Sequence, residues 1–324
     1  MISINPIISS LIARSISDEI VVRKGLKSYT YNHIYNDSRK LATYLESIGM
    51  RAGDTALIAT PSSYEFLLIF YASLILKVKI GIIDPKIDND LYLAKVNQLK
   101  PQWAFIDSKL LLIQEHNLLK KFYLNSGDRK LYLPQSDQYQ TIATGAWMPL
   151  MRSYEKFNQY KIHKPYDIDP SYIDYEYIIS YTSGAMGEAN CLVHTLGTIS
   201  HSTSYISKLI RNTKGKSFVT DLPHFMLIGI AANLRLEIWN DKWTIPRKIK
   251  FIETNGISML STSPIQFLDL IEYCKENNRK LPTSLEHIIV ESTVDNQLDL
   301  EECKKYIESQ TCVTVMYSKT VRMI

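Results

Sequence analysis

The chain has 324 residues, 45% hydrophobic and 22% charged, which excludes a disordered polypeptide and gives enough apolar surface for two packed α/β units. Its 37 basic and 33 acidic residues leave a formal net charge of +4, and they are scattered, so no block of like charge marks a nucleic-acid or anionic-membrane face. The longest apolar run, Phe66 to Leu76, is too short to span a bilayer, and no secretory leader opens the chain; both point to a cytoplasmic protein without a transmembrane segment.

From Thr30, apolar residues at helical spacing (Ile34, Leu41, Leu45, Ile48) precede a strand at Ala56 to Ala59. Pro61 separates that strand from a buried helix over Phe66 to Leu76. A strand at Ile80 to Ile83, a helix near Leu91 to Leu99 and a strand at Trp103 to Ile106 continue an alternation that predicts a parallel sheet covered by helices. Polar, turn-forming residues dominate from about 124 to 174. They set the expected boundary, with a first α/β unit over 1–174 and a second over 175–324.

The second unit opens on the β-branched and aromatic run Tyr177 to Tyr181. Thr182, Ser183, Gly184, Ala185, Met186 and Gly187 follow, and Thr195 can cap a helix through Leu209. A strand is thus expected to deliver this loop to a helix start. Hydroxyls next to glycines offer donors and backbone freedom for curling around an anion. No Lys followed by Ser or Thr comes after the glycines, so it is not a Walker loop; an ordinary polar turn is the alternative reading. Strands at Phe218-Val219, Ile257 to Leu260, His287 to Val290 and Val313 to Met316 then alternate with helices after Pro223, after Ser263-Pro264 and around Leu298 to Ile307. Ser263 and Pro264 suit a cap and a first helical residue. Ligands of such sheets bind beyond the carboxyl ends of the strands, where the loop at Thr182 and the turns after Val290 and Tyr317 are expected to converge. Cys191, Cys274, Cys303 and Cys312 are too widely spaced for a zinc or disulfide framework and read as buried free thiols.

The stretch YTSGAMGEANCLVHT, from Tyr181 to Thr195, resembles the signature of the adenylate-forming superfamily, which includes acyl-CoA synthetases, fatty acyl-AMP ligases, luciferases and peptide-synthetase adenylation domains. That signature runs Tyr-Thr-Ser-Gly-Ser/Thr-Thr-Gly-x-Pro-Lys-Gly and continues to His-Thr or His-Ser. GIIDP ending at Pro85, DLPHFMLIGIA from Asp221, TSPIQFLDLI from Thr262, LPTSLEHII and a final VMYSKT fall in the family's order. The IDP tract and the SPIQFLDLIEYC run are most similar to long-chain fatty-acid ligases and olefin β-lactone synthetases.

The resemblance implies two α/β-layered subdomains and ATP-dependent activation of a fatty or similar carboxylic acid to an acyl-adenylate, with Mg2+ and possible use of CoA. Thr182, Ser183, Gly184 and Gly187 match the phosphate loop, whereas Ala185 and Met186 replace hydroxyl residues and Asn190 stands where the family has Lys. Val290-Glu291-Ser292-Thr293 occupies the place of the turn against adenine; the Glu291 carboxylate there either repels phosphate or points to water. Tyr317-Ser318-Lys319-Thr320-Val321 aligns with Tyr-Gly-x-Thr-Glu, which implies Tyr317 and Ser318 beside adenine and Thr320 at the α-phosphate. Val321 replaces the glutamate that helps hold magnesium. His224 and Phe225 fall at the acyl-pocket wall, either as a gate to that pocket or as a core cluster. His194 reads as a capping or packing residue, and without a Gly-x-Ser-x-Gly elbow no hydrolase is implied. The family continues beyond the position of Ile324 into a β-barrel subdomain and a mobile lid with a catalytic Lys, so the expectation is impaired catalysis. The alternatives are a non-catalytic nucleotide- or acyl-binding or partner protein, a chain completed by a separately encoded C-terminal half, or a truncated remnant.

Overall fold

The computed structural model describes residues 6–60, 63–83, 87, 89–115, 139–145, 153–162, 174–181, 191–210, 216–240, 242–292 and 300–317. In chain order, α1 (Pro6–Ala13), β1 (Ile20–Lys24), β2 (Lys27–Thr30) and α2 (Tyr31–Ser47) lead into β3 (Thr55–Ala59), α3 (Tyr64–Leu76), β4 (Lys79–Ile82) and α4 (Asn89–Leu99). Then come β5 (Trp103–Asp107), α5 (Ser108–Glu115), β6 (Gln140–Thr144), β7 (Glu176–Tyr181), β8 (Cys191–Thr195) and α6 (Leu196–Leu209). The remainder is β9 (Ser217–Thr220), α7 (Pro223–Ala231), β10 (Arg235–Glu237), α8 (Ile245–Thr254), β11 (Met259–Thr262), α9 (Pro264–Glu276), β12 (His287–Ser292), α10 (Leu300–Cys303) and β13 (Cys312–Tyr317).

These strands form two sheets, a six-stranded one ordered β6-β5-β3-β4-β7-β8 and a seven-stranded one ordered β13-β12-β11-β9-β10-β1-β2. All neighbours pair parallel except β7 with β8 and β1 with β2. The expected α/β layering therefore holds, and neither sheet closes into a barrel among the described residues. The division of the chain differs from the expected one. One compact unit gathers residues 3–33 and 200–324, the other 34–199. The polar stretch before residue 174 is not the boundary because Gln140–Thr144 inside it pairs with β5, and the strand after it, β7, pairs with β4. Near the N-terminus, β1 pairs with β10, so that hairpin belongs with the late strands.

In the six-stranded unit, α3 shows how sequence becomes structure. Ser63 accepts from the Phe66 N–H at 3.2 Å, and Lys77 closes the helix in the left-handed region at φ 57. Between these caps YEFLLIFYASLIL is apolar nearly all round, so the helix is buried on every side rather than along one stripe. Gly81 on β4 has no room for a side chain, since a Cβ would lie 2.6 Å from Leu99 Cδ1 of α4. In the seven-stranded unit the core runs through Val219, Leu260, Phe267, Leu270, Ile288 and Val290, joining neighbouring helices to the sheet. Gly229 on α7 lets that helix press on β9, where a Cβ would meet the Phe218 ring at 2.5 Å. Ser263 caps α9 by accepting from the Gln266 N–H at 3.4 Å, with Pro264 opening the helix as the sequence predicts.

Candidate functional site

Thr182, Ser183, Gly184, Ala185, Met186, Gly187 and Asn190 lie outside the described residues, as do Thr293, Ser318, Thr320 and Val321. The structure describes the frames that carry them. The first frame is a hairpin: β7 and β8 are antiparallel with Tyr181 opposite Cys191, so segment 182–190 joins two strand ends. This corrects the expectation that the loop runs straight into a helix. The five residues Cys191 to Thr195 form a strand first, and α6 starts after Thr195, whose Oγ1 accepts from the Thr198 N–H at 3.2 Å. Tyr181 is fastened to α4 by donating to the Lys95 carbonyl at 3.0 Å, and burial drives its phenol well above the usual range, with Cys191 adding to the shift. His194 Nε2 lies 2.7 Å from Ser180 Oγ across the hairpin, and burial lowers its pKa. A packing role fits both facts.

The second frame is the carboxyl edge of the seven-stranded sheet. Strands β12 and β13 pair in register to their ends, with Ser292 opposite Tyr317. Two expected adenine-flanking positions are therefore backbone neighbours. The segment at Thr182 is carried by the other sheet, so the three turns do not rise from one sheet as expected.

At the same edge β9 ends at Thr220, and the turn Asp221-Leu222 leads into α7. Pro223 fixes the first turn of this helix, which leaves His224 at its start. His224 Nε2 lies 3.1 Å from Glu291 Oε2, with the two side chains 31% and 18% exposed. Burial works to lower the His224 pKa, but the Glu291 carboxylate, with a smaller push from Asp221, raises it above the ordinary histidine value. Glu291 is thus paired rather than pointed at water. Asp221 is deeply placed: burial raises its pKa most, while the Thr262 side chain, nearby backbone amides and the Lys248 charge pull it back in part. Its Oδ1 is buried without a hydrogen-bond partner. The two residues read together as a pocket wall separate here. Phe225 is a core residue, 1% exposed, whose ring centre is 4.9 Å from that of His224, and His224 alone stands at the edge.

Sequence reasoning missed Asp221 and Lys248. Lys248 is 3% exposed, its Nζ donating to Gln266 Oε1 at 2.7 Å and lying 5.0 Å from the centre of the Trp239 ring. It shares the buried face of α8 with Ile249 and Ile252, and that helical spacing was the signal that could have found it. Among the thiols, Cys274 and Cys303 are buried as expected, but Cys191 and Cys312 are exposed because they lie on outward-facing positions of edge strands. No helix among the described residues is long and apolar enough to cross a membrane. Nor do three or more His, Cys, Asp or Glu residues gather into a metal-binding group among them. Chemically, this edge offers an imidazole paired with a carboxylate, a second carboxylate, a buried lysine and an acceptor oxygen still without a donor.

The comparisons with known proteins agree with this architecture. O-succinylbenzoate coenzyme A synthetase (MenE) from Bacillus subtilis, solved in complex with AMP, superposes at a TM-score of 0.71 with 16% identity, over 97% of this chain and 60% of that one. The chain thus spans three-fifths of that MenE chain. The luciferase-like enzyme of the nonluminescent mealworm Zophobas morio gives a TM-score of 0.70 with 15% identity, over 98% of this chain and 72% of that one. VinN gives 0.70 with 12% identity, over 99% and 75%. No curated protein matches by sequence. The family described as AMP-binding enzyme matches residues 12–320. Nearly the whole chain, from the N-terminal hairpin to the end of the last strand, falls within that match, and the protein belongs to the AMP-binding enzyme family.

Proposed function

We propose that this chain binds ATP and a carboxylic acid, fatty or similar, and joins the acid to the α-phosphate as an acyl-adenylate, with CoA as a thiol acceptor and the cytoplasm as its setting. The observation that carries the reading is the carboxyl edge of the seven-stranded sheet, where Ser292 and Tyr317 are register neighbours and Glu291 directly precedes Ser292 on β12. The solved MenE structures with AMP and with the acyl-adenylate OSB-AMP support it by likeness of fold. In this reading Ser292, Thr293, Tyr317 and Ser318 flank adenine and Thr320 approaches the α-phosphate. The loop from Thr182 through Gly187 to Asn190 supplies donors to the phosphates, and His224 faces the acid. Charge that builds on phosphate oxygens during adenylation is stabilised by fixed donors and cations. Magnesium, when bound with ATP, would supply part of that charge. The described residues bring no group of three His, Cys, Asp or Glu side chains to hold it.

A second reading is favoured by two residues. Asn190 stands in place of a phosphate-loop lysine and Val321 in place of a magnesium-holding glutamate, so the chain can retain nucleotide or acyl binding without turnover, or depend on a separately encoded C-terminal half. Acid-dependent exchange of labelled pyrophosphate into ATP, alongside calorimetric binding of ATP, separates them. Exchange by the 324-residue chain establishes catalysis. Binding without exchange establishes the second reading, and neither signal defeats both.

A further inference from the structure

The His224–Glu291 contact links parts of the sheet that are not neighbours. His224 follows β9 and Glu291 lies at the end of β12, while β11 runs between those two strands. Strands two places apart are separated by roughly 9.5 Å, so the side chains meet only by reaching across the carboxyl end of β11. There, Ser261 is opposite Thr220 and Thr262 is opposite Val290. Asp221 Oδ1 and the hydroxyls of Ser261 and Thr262, two residues that are 0% exposed, are buried at this point without a hydrogen-bond partner. Leaving an acceptor of this kind buried and unmatched is unfavourable. Such a cost is expected where a ligand later supplies the donor. The linking pair is the more exposed layer, at 31% and 18%, above the buried groups.

We propose that His224 and Glu291 form a clasp that holds the carboxyl end of β11 closed in the free protein and parts when a ligand takes this edge. The clasp deepens the nucleotide reading and rests on it for the identity of the ligand. Its two sides are a histidine and a carboxylate, so proton uptake controls it. Among the described residues, the titratable groups facing His224 are Glu291 from β12 and Asp221 from the turn after β9, with the Lys248 charge on α8 acting on Asp221; the Phe225 ring covers a further side. The pair attracts most while His224 is protonated and Glu291 is ionised. It loses its attraction as pH rises through the His224 pKa, so the clasp loosens toward alkaline pH.

Two measurements on the full chain test this. Hydrogen–deuterium exchange without ligand reads the clasp itself. After correction for intrinsic rates, peptides covering Thr262 to Gln266 are expected to exchange several-fold faster in Glu291→Gln than in the parent, and faster in the parent at pH 8.5 than at pH 6. Unchanged exchange in Glu291→Gln overturns the proposal whatever the chain binds. His224→Gln, which also removes the charge, serves as the second variant should Glu291→Gln fail to fold. Calorimetry with AMP then reads the ligand. A several-fold tighter Kd in the variant, with a smaller pH dependence, supports the clasp as a barrier to nucleotide. Equal affinity in both proteins at both pH values overturns that role. Faster exchange with no AMP binding in either protein leaves the clasp standing and removes the nucleotide reading beneath it.

Discussion

The carboxyl edges of the two sheets are built from similar residue types but are completed differently. On the six-stranded sheet, Thr144 donates to Thr60 at 3.0 Å, Asp107 accepts from the Lys109 N–H at 2.8 Å, and Tyr181 reaches the Lys95 carbonyl at 3.0 Å. The Ser108 hydroxyl, also at this edge, is buried without a hydrogen-bond partner. On the seven-stranded sheet a buried carboxylate oxygen is unmatched and a histidine is drawn to a carboxylate across an intervening strand. Native interiors pair nearly all of their polar atoms. A buried carboxylate oxygen that folding leaves unmatched marks the seven-stranded edge as a place to look for a ligand.

Four perturbations sharpen or break that contrast. The largest effect belongs to the scaffold: Phe70→Ala removes a ring 1% exposed in α3 and should cost about 3–5 kcal/mol in chemical denaturation. A loss of well under ~1 kcal/mol would show that the helix collapses around the gap. Next, Gly229→Ala drives a methyl to 2.5 Å from the Phe218 ring and should destabilise the seven-stranded unit by about 1–3 kcal/mol. A neutral result would mean that α7 can move off β9, and the position of His224 with it. The caps come third. Ser63→Ala and Ser263→Ala should each lower stability by about 1 kcal/mol, but only the second, at the unfinished edge, should also change AMP affinity. Equal effects on affinity would erase the distinction between the edges.

The smallest effect is in the pH dependence of stability. His224 has a raised folded-state pKa, so its pairing contributes fully below the ordinary histidine value. That contribution is lost as pH rises through the folded-state value. Thermal melts of the parent should show this step above the ordinary histidine value relative to Glu291→Gln, in which it disappears. A step of the same size in both proteins would place its origin elsewhere.

Much of the fold was legible because strand and helix periods differ and their boundaries carry caps. The apolar run at Phe66 to Leu76, the Ser263-Pro264 start and the late strands all follow from local rules. What was not legible depends on partners remote in sequence. The hairpin at Ile20 to Thr30 joins the late sheet through β10, a strand of only three residues with little pattern of its own. The strand at Cys191 to Thr195 is identified by its register with β7. At the site, Glu291 looked like a solvated turn residue because its partner comes from a different strand–helix connection, and Asp221 lay hidden between a strand and a proline. The segment from Thr182 to Asn190 was legible as a motif, while the antiparallel pairing of β7 with β8 on either side of it was not.

The most direct test follows the seven-stranded edge itself by NMR as AMP is added to the labelled chain. The account predicts that the His224 ring signals and the backbone amides of Glu291, Ser292 and Tyr317 shift together along one saturating curve, with the Thr60 and Thr144 amides unmoved. Shifts confined to the six-stranded unit, or none at saturating AMP, would contradict it.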